Sequence, residues 1–156
     1  MYVQAKLAGH TAVPIPTSED NKWKLTAEDL RSAVSEVSGP MMLILTNPGN
    51  PSGAVYTRQE LEQVTQVCRE KRIIVLSDEI YARLVYSGDH VCMSHVYPEG
   101  TILTSGFSKW SSAGGWRLGY AHFPPALSDL REAVTSGASH TYRQGRPHNT
   151  TNIFQI

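Results

Sequence analysis

Residues 41–81 read MMLILTNPGNPSGAVYTRQELEQVTQVCREKRIIVLSDEIY, and this stretch decides the fold. It opens on Met41-Met42-Leu43-Ile44-Leu45, a continuous apolar run with turn-forming residues behind it. A strand buried on both faces reads this way. Residues 57–71 then bring Leu61, Val64 and Cys68 round at helical spacing, opened by Thr57 and Glu60 as a capping box. Ile73 to Leu76 is a second buried strand. Strand, helix, strand is the unit from which α/β sheets are built.

The pattern continues outward. Residues 26–37 place Leu30, Ala33, Val34 and Val37 on one helical face, with Thr26 and Asp29 as the opening cap. Ile102 and Leu103 start a third strand, Leu118 to Phe123 gives a fourth, and Leu127 to Val134 a last helix. Only about a dozen residues join the third strand to the fourth, the lower limit for a parallel crossover, so the fourth is expected to run antiparallel. The expectation is an α/β fold: a three-layer, mainly parallel sheet with helices on both faces and one antiparallel strand. Residues 1–139 form one domain. From His140 the chain turns polar and loses helical period, so 140–156 is expected to be a divergent, disordered tail.

Composition narrows the function. Of 156 residues, 40% are hydrophobic and 18% charged, which supports a sizeable core and excludes a disordered chain. Net charge is zero, so no basic field attracts nucleic acid. No apolar run reaches the length of a membrane span, and the opening MYVQAKLAGH lacks the apolar stretch of a signal peptide. Cys68 and Cys92 form no metal-ligand cluster and read as reduced thiols; no metal is expected. Asn149-Thr150-Thr151 fits a glycosylation sequon but is read as chance, and the expected setting is the cytoplasm.

Ligands of open α/β sheets bind at the carboxyl ends of the strands. There the sequence puts Thr46-Asn47-Pro48-Gly49-Asn50-Pro51-Ser52-Gly53, then Ser77-Asp78-Glu79-Ile80-Tyr81, then Ser105-Gly106-Phe107-Ser108-Lys109. Together with Arg117 they offer an amide, a carboxylate, a phenol, an amine and a guanidinium. Singly each has a plain use: Lys109 as a solvated charge, Asp78 as a cap, Tyr81 as half-buried core, Asn50 as a turn residue, Arg117 as an ion-pair partner. Jointly they suit pyridoxal phosphate. An amine can form a Schiff base with an aldehyde, a carboxylate can keep a pyridine nitrogen protonated, and an arginine can grip a phosphate.

The strings NPGNPSG, SDEIYARLVY and SGFSKWSSAGGWRLGY, in that order, resemble the class I/II aminotransferases of the aspartate aminotransferase fold type, from about Tyr2 to about Thr141. The resemblance implies the central part of the large domain of a pyridoxal-phosphate enzyme. It implies that Asn50 and Tyr81 donate to the cofactor ring oxygen, that Asp78 pairs with the ring nitrogen, and that Arg117, eight residues after Lys109, holds the phosphate. Lys109 would form the Schiff base and carry the proton at the substrate α-carbon. Relatives place a phosphate-binding serine three residues before the lysine; here that position is Gly106, with Ser105 beside it as the candidate. The implied reaction moves an amino group between an amino acid and a 2-oxo acid, and full-length relatives are homodimers.

The same resemblance implies an N-terminal phosphate loop and a C-terminal domain with a carboxylate-binding arginine, neither visible in this sequence. Arg143 and Arg146 lie in the tail and are not assigned that role. Each charge-assisted phosphate contact is worth roughly 1.5–3 kcal/mol, so the isolated chain is expected to have little or no transaminase activity. An inactive remnant of the family and another reaction of the same fold type, lyase or decarboxylase, are the alternatives. Ile73 to Glu79 also resembles a Walker B strand, but no Gly-Lys-Ser/Thr loop accompanies it, and no G-x-G-x-x-G follows an early strand. Tyr2 and Lys6 have the Tyr-x-x-x-Lys spacing of some dehydrogenases at the chain terminus only.

Overall fold

The computed structural model describes residues 2–141 and 152–155. Tyr142, Arg143, Arg146 and the Asn149-Thr150-Thr151 sequon lie outside them. The elements in order are α1 (Tyr2–Leu7), α2 (Ala27–Ala33), β1 (Met42–Thr46), α3 (Arg58–Lys71), β2 (Ile74–Asp78), α4 (Met93–Val96), β3 (Thr101–Gly106), β4 (Leu118–His122), α5 (Ser128–Thr141) and β5 (Asn152–Gln155). The strands form one sheet in the order β1-β2-β3-β4-β5. β1, β2 and β3 are parallel, and β4 runs antiparallel to both β3 and β5. The short connection from β3 to β4 reverses the chain, as its length requires.

Two helices start where the sequence places their caps. Thr26 accepts from Asp29 N–H and Asp29 answers Thr26 N–H; Thr57 and Glu60 do the same for α3. Each box satisfies two of the four orphan donors at a helix start. Strand alternation then divides the side chains between two faces. On one, Leu45 and Val75 pack with Leu30, Leu61, Val64 and Met93 beneath α2, α3 and α4. On the other, Ile102, Ala121 and Phe123 meet Leu127 and Leu130 at the start of α5.

Three expectations change. β1 is not buried on both faces: Met42 is 49% and Ile44 41% exposed. β1 is the sheet edge, and α5 packs on the β3–β4 side of that face, so an apolar strand is left half bare. The helix expected over 26–37 ends at Ala33; Val34 leaves helical geometry at φ −104°, ψ 6°, and Val37 is exposed. The stretch read as a loose tail from residue 140 takes regular structure at two places: α5 runs to Thr141, and Asn152–Gln155 adds a strand along β4. An unpaired edge of β4 is a template for such pairing, whatever the polarity of the added segment.

Candidate active site at the carboxyl edge of the sheet

The register aligns Thr46 with Asp78 and Asp78 with Thr104, so β1, β2 and β3 release their loops side by side. Asn47 N–H donates to Asp78 O at 3.0 Å and Glu79 N–H to Thr104 O at 2.8 Å, extending the sheet one residue into the loops. Both Asn47-Pro48 and Asn50-Pro51 peptide bonds are cis. The turn over residues 49–54 is closed by Gly49 N–H to Ala54 O at 2.8 Å and Gly53 N–H to Gly49 O at 2.8 Å. Gly53 sits at φ +70°, where a side chain is strained.

Three of the expected residues come together. Asn50 Nδ2 donates to Tyr81 Oη at 3.2 Å. Lys109 Nζ lies 5.8 Å from the centroid of the Tyr81 ring. Tyr81 is therefore shared by an amide from the first loop and an amine from the third. Next to these contacts, the Arg83 guanidinium stacks over Trp110 at 4.6 Å, and Trp110 Nε1 donates to Gly106 O at 2.9 Å. The residues flanking Tyr81 and Lys109 are thus clamped to each other.

Asp78 is half-buried at the end of β2 on the sheet face opposite Val75 and Ser77. Burial pushes its carboxyl up from the ordinary range, the Ile80 N–H at 3.3 Å pulls it down, and the neighbouring Glu79 charge pushes it up; the result is raised. Arg117 stands immediately before β4, whose Gly119 lies opposite Gly106, so it is at the same edge of the sheet. Its backbone is left-handed at φ +51°, and Nη1 donates to Gly114 O at 3.1 Å.

Ser105, the candidate phosphate contact, has a partner within the protein. Its hydroxyl donates to Glu79 O at 3.2 Å, so its proton fastens β3 to the second loop. Gly106 leaves little room for a side chain: a Cβ there would meet Leu118 O at 3.0 Å and Gly119 Cα at 3.3 Å. The close approach of β4 explains the glycine.

Three residues that the motifs do not single out, Glu79, His90 and Asn47, lie behind these loops. Glu79 is 3% exposed and Asn47 fully buried. Glu79 accepts from His90 Nε2 at 2.7 Å, Ser77 Oγ at 2.9 Å and Met93 N–H at 2.9 Å. Burial alone would raise its carboxyl, but the hydrogen bonds from His90, Met93, Cys92 and Ser77 outweigh it and hold it below the ordinary carboxylate range. The available signal was strand period: residue 79 follows 75 and 77 onto the core face, so an acid there must be buried and paired.

The donor set fits pyridoxal phosphate. An amine, a phenol–amide pair and a half-buried carboxylate share one edge, with a guanidinium beside them. Among the described residues no group of three His, Cys, Asp or Glu could hold a metal ion, and no helix is long and apolar enough to cross a membrane.

The chain is similar in sequence and in fold to known aminotransferases. Aspartate aminotransferase of Bacillus subtilis is 37% identical to this chain, over 97% of it and 37% of the relative. That of Bacillus sp. strain YM-2 is 39% identical over 88% of this chain and 35% of the relative. In structure, alanine aminotransferase from Pyrococcus furiosus superposes with a TM-score of 0.81 at 32% identity, over 90% of this chain and 36% of that one. Thermus thermophilus aspartate aminotransferase with maleate gives 0.77 at 31%, over 88% and 36%. The chain therefore spans about a third of the length of the relatives it matches. The family described as aminotransferase class I and II matches residues 1–147. With its sheet order, its loop cluster and this match in agreement, the chain belongs to the class I and II aminotransferase family.

Proposed function

We propose that this chain is the cofactor-binding core of a pyridoxal-phosphate-dependent aminotransferase, acting on an amino acid and a 2-oxo acid. The observation that carries the reading is that Tyr81 takes Asn50 Nδ2 on its hydroxyl and Lys109 Nζ over its ring, so residues from three separate loops converge. When bound, pyridoxal phosphate supplies an aldehyde for an amine and a protonated ring that draws electrons from the substrate α-carbon. Lys109 is the amine placed to attach the cofactor and then to move the α-carbon proton. Asn50 and Tyr81, already in contact, would both donate to a ring oxygen. Asp78, from the neighbouring strand end, would pair with the ring nitrogen and keep it protonated. Arg117 offers a planar fork to the phosphate. Ser105 turns its proton to Glu79 O and serves the loop before it serves a ligand.

We assign residues 1–139 to the partial large domain and 140–156 to a divergent extension. Relatives named as aspartate and alanine aminotransferases favour amino-group transfer over lyase or decarboxylase chemistry. A homodimer in the cytoplasm, with reduced Cys68 and Cys92, fits the same reading.

Borohydride reduction of the chain with pyridoxal phosphate, followed by peptide mapping, tests it. The lysines are Lys6, Lys22, Lys24, Lys71 and Lys109. The expected result is a phosphopyridoxyl group concentrated on Lys109 at low cofactor. Label spread evenly over all five would overturn the assignment.

A further inference from the structure

We propose that Glu79, His90 and Asn47 are positioning residues: a buried polar brace through which residues 90–93 hold the first and second site loops in register. This rests on the cofactor-site reading above for its purpose, but not for its geometry.

Residues 85–92 form no helix or strand. Their course is fixed by side chains reaching in from the site. Asn47, fully buried, donates from Nδ2 to Val91 O at 3.2 Å and accepts from Tyr56 N–H on Oδ1 at 3.3 Å. Glu79 accepts from His90 Nε2 and from Met93 N–H, one carboxylate oxygen to each. The segment 90–93 is therefore tied to the loop bearing Asn50 through Asn47, and to the loop bearing Asp78 and Tyr81 through Glu79. The third loop joins at the same residue, since Ser105 Oγ donates to Glu79 O. Three short loops from three strands meet at two buried polar residues, Asn47 and Glu79.

An apolar residue at 79 would pack on this face at no polar cost, as Val75 does. A buried carboxylate is tolerated only when its lone pairs are met, and it then admits one arrangement of its donors. Asp78 lies one residue before Glu79 and Tyr81 two after it. A shift of Glu79 displaces both, while the helices beneath the sheet need not move. His90 Nε2 carries the proton toward Glu79, and Nδ1 is buried without a partner. Replacing the carboxylate by an amide asks Nε2 to accept instead. The proton then moves to Nδ1, where nothing receives it, so Glu79→Gln loosens the brace while conserving shape.

The test begins without cofactor. Amide hydrogen exchange is compared for the native chain, Glu79→Gln and His90→Gln. The expected result is protection lost by about tenfold or more at both 47–54 and 79–82, with α3 and α5 unchanged. The Glu79→Gln/His90→Gln double variant, whose two amides can pair, should recover part of it. With pyridoxal phosphate at saturation, the pH midpoint of the Lys109-dependent absorbance should also move in Glu79→Gln and return in the double variant. Exchange that rises only at 85–93, leaving 47–54 and 79–82 protected, overturns the brace. So does a uniform loss across the sheet in both single variants. If Glu79→Gln does not fold, His90→Gln decides, since it severs one arm alone. Exchange as expected but no Lys109-dependent absorbance in the native chain would leave the brace standing and refute the cofactor reading.

Discussion

The two faces of the sheet are built on different terms. Beneath α2, α3 and α4 the side chains are closed off: Leu61, Val67 and Val75 are fully buried. The opposite face is covered by α5 over β3 and β4 and open over β1, where Met42 and Ile44 meet solvent. Adjacent acids at the end of β2 show the contrast in one step of chain. Glu79 points to the closed face, gathers donors and is held low; Asp78 points to the open face, has one backbone donor and is raised. Stability is concentrated on one face, and the candidate chemistry sits at the carboxyl edge where the two meet.

The largest effect that sharpens the contrast is core truncation. Leu61→Ala should cost about 2–5 kcal/mol in denaturant unfolding, whereas Ile44→Ala should stay within about 1 kcal/mol. Equal costs would mean that β1 is covered in solution, and the comparison would fail.

The acids give the next test. Glu79 has a folded value below its unfolded one, so its contribution is present above the unfolded value near 4.5 and is lost as pH falls through the folded value. Asp78 is raised, so the sign inverts: ionisation disfavours the fold as pH rises through its folded value. At neutral pH Glu79→Gln should therefore destabilise by about 1–3 kcal/mol, while Asp78→Asn leaves the thermal midpoint level or raises it. Both variants falling together at neutral pH would contradict the assignment of opposite environments.

On the ligand side, Arg117→Lys keeps the charge and loses the planar fork. Pyridoxal phosphate should bind about tenfold more weakly by fluorescence titration, with thermal stability in the absence of cofactor little changed. The smallest effect concerns the thiols. Burial pushes Cys68 up to about 12, against the opposing pull of Arg69, and Cys92 is raised less and only half-buried. A thiol reagent at mildly alkaline pH should label Cys92 first and Cys68 only on unfolding.

Much of this was legible in the residues. The capping boxes at Thr26/Asp29 and Thr57/Glu60 set helix starts because they satisfy local donors, and local rules need no tertiary context. The reversal into β4 followed from connection length alone. The loops carrying Asn50, Asp78, Tyr81 and Lys109 could be placed at one edge because parallel strands release their loops together. What was not legible depends on neighbours. Met42 and Ile44 read as core because an apolar run does not say which elements cover it. The bond from the Ser105 hydroxyl to Glu79 O was hidden because the two lie 26 residues apart in sequence. Glu79 itself was hidden beside Asp78: only the strand period separates an acid facing a ligand from one facing the core.

The most direct test of the central claim is the near-ultraviolet and visible spectrum of the chain with pyridoxal phosphate, recorded beside Lys109→Ala. The account predicts an absorbance band that saturates with cofactor and is absent from the variant. Identical spectra from two folded proteins would contradict it.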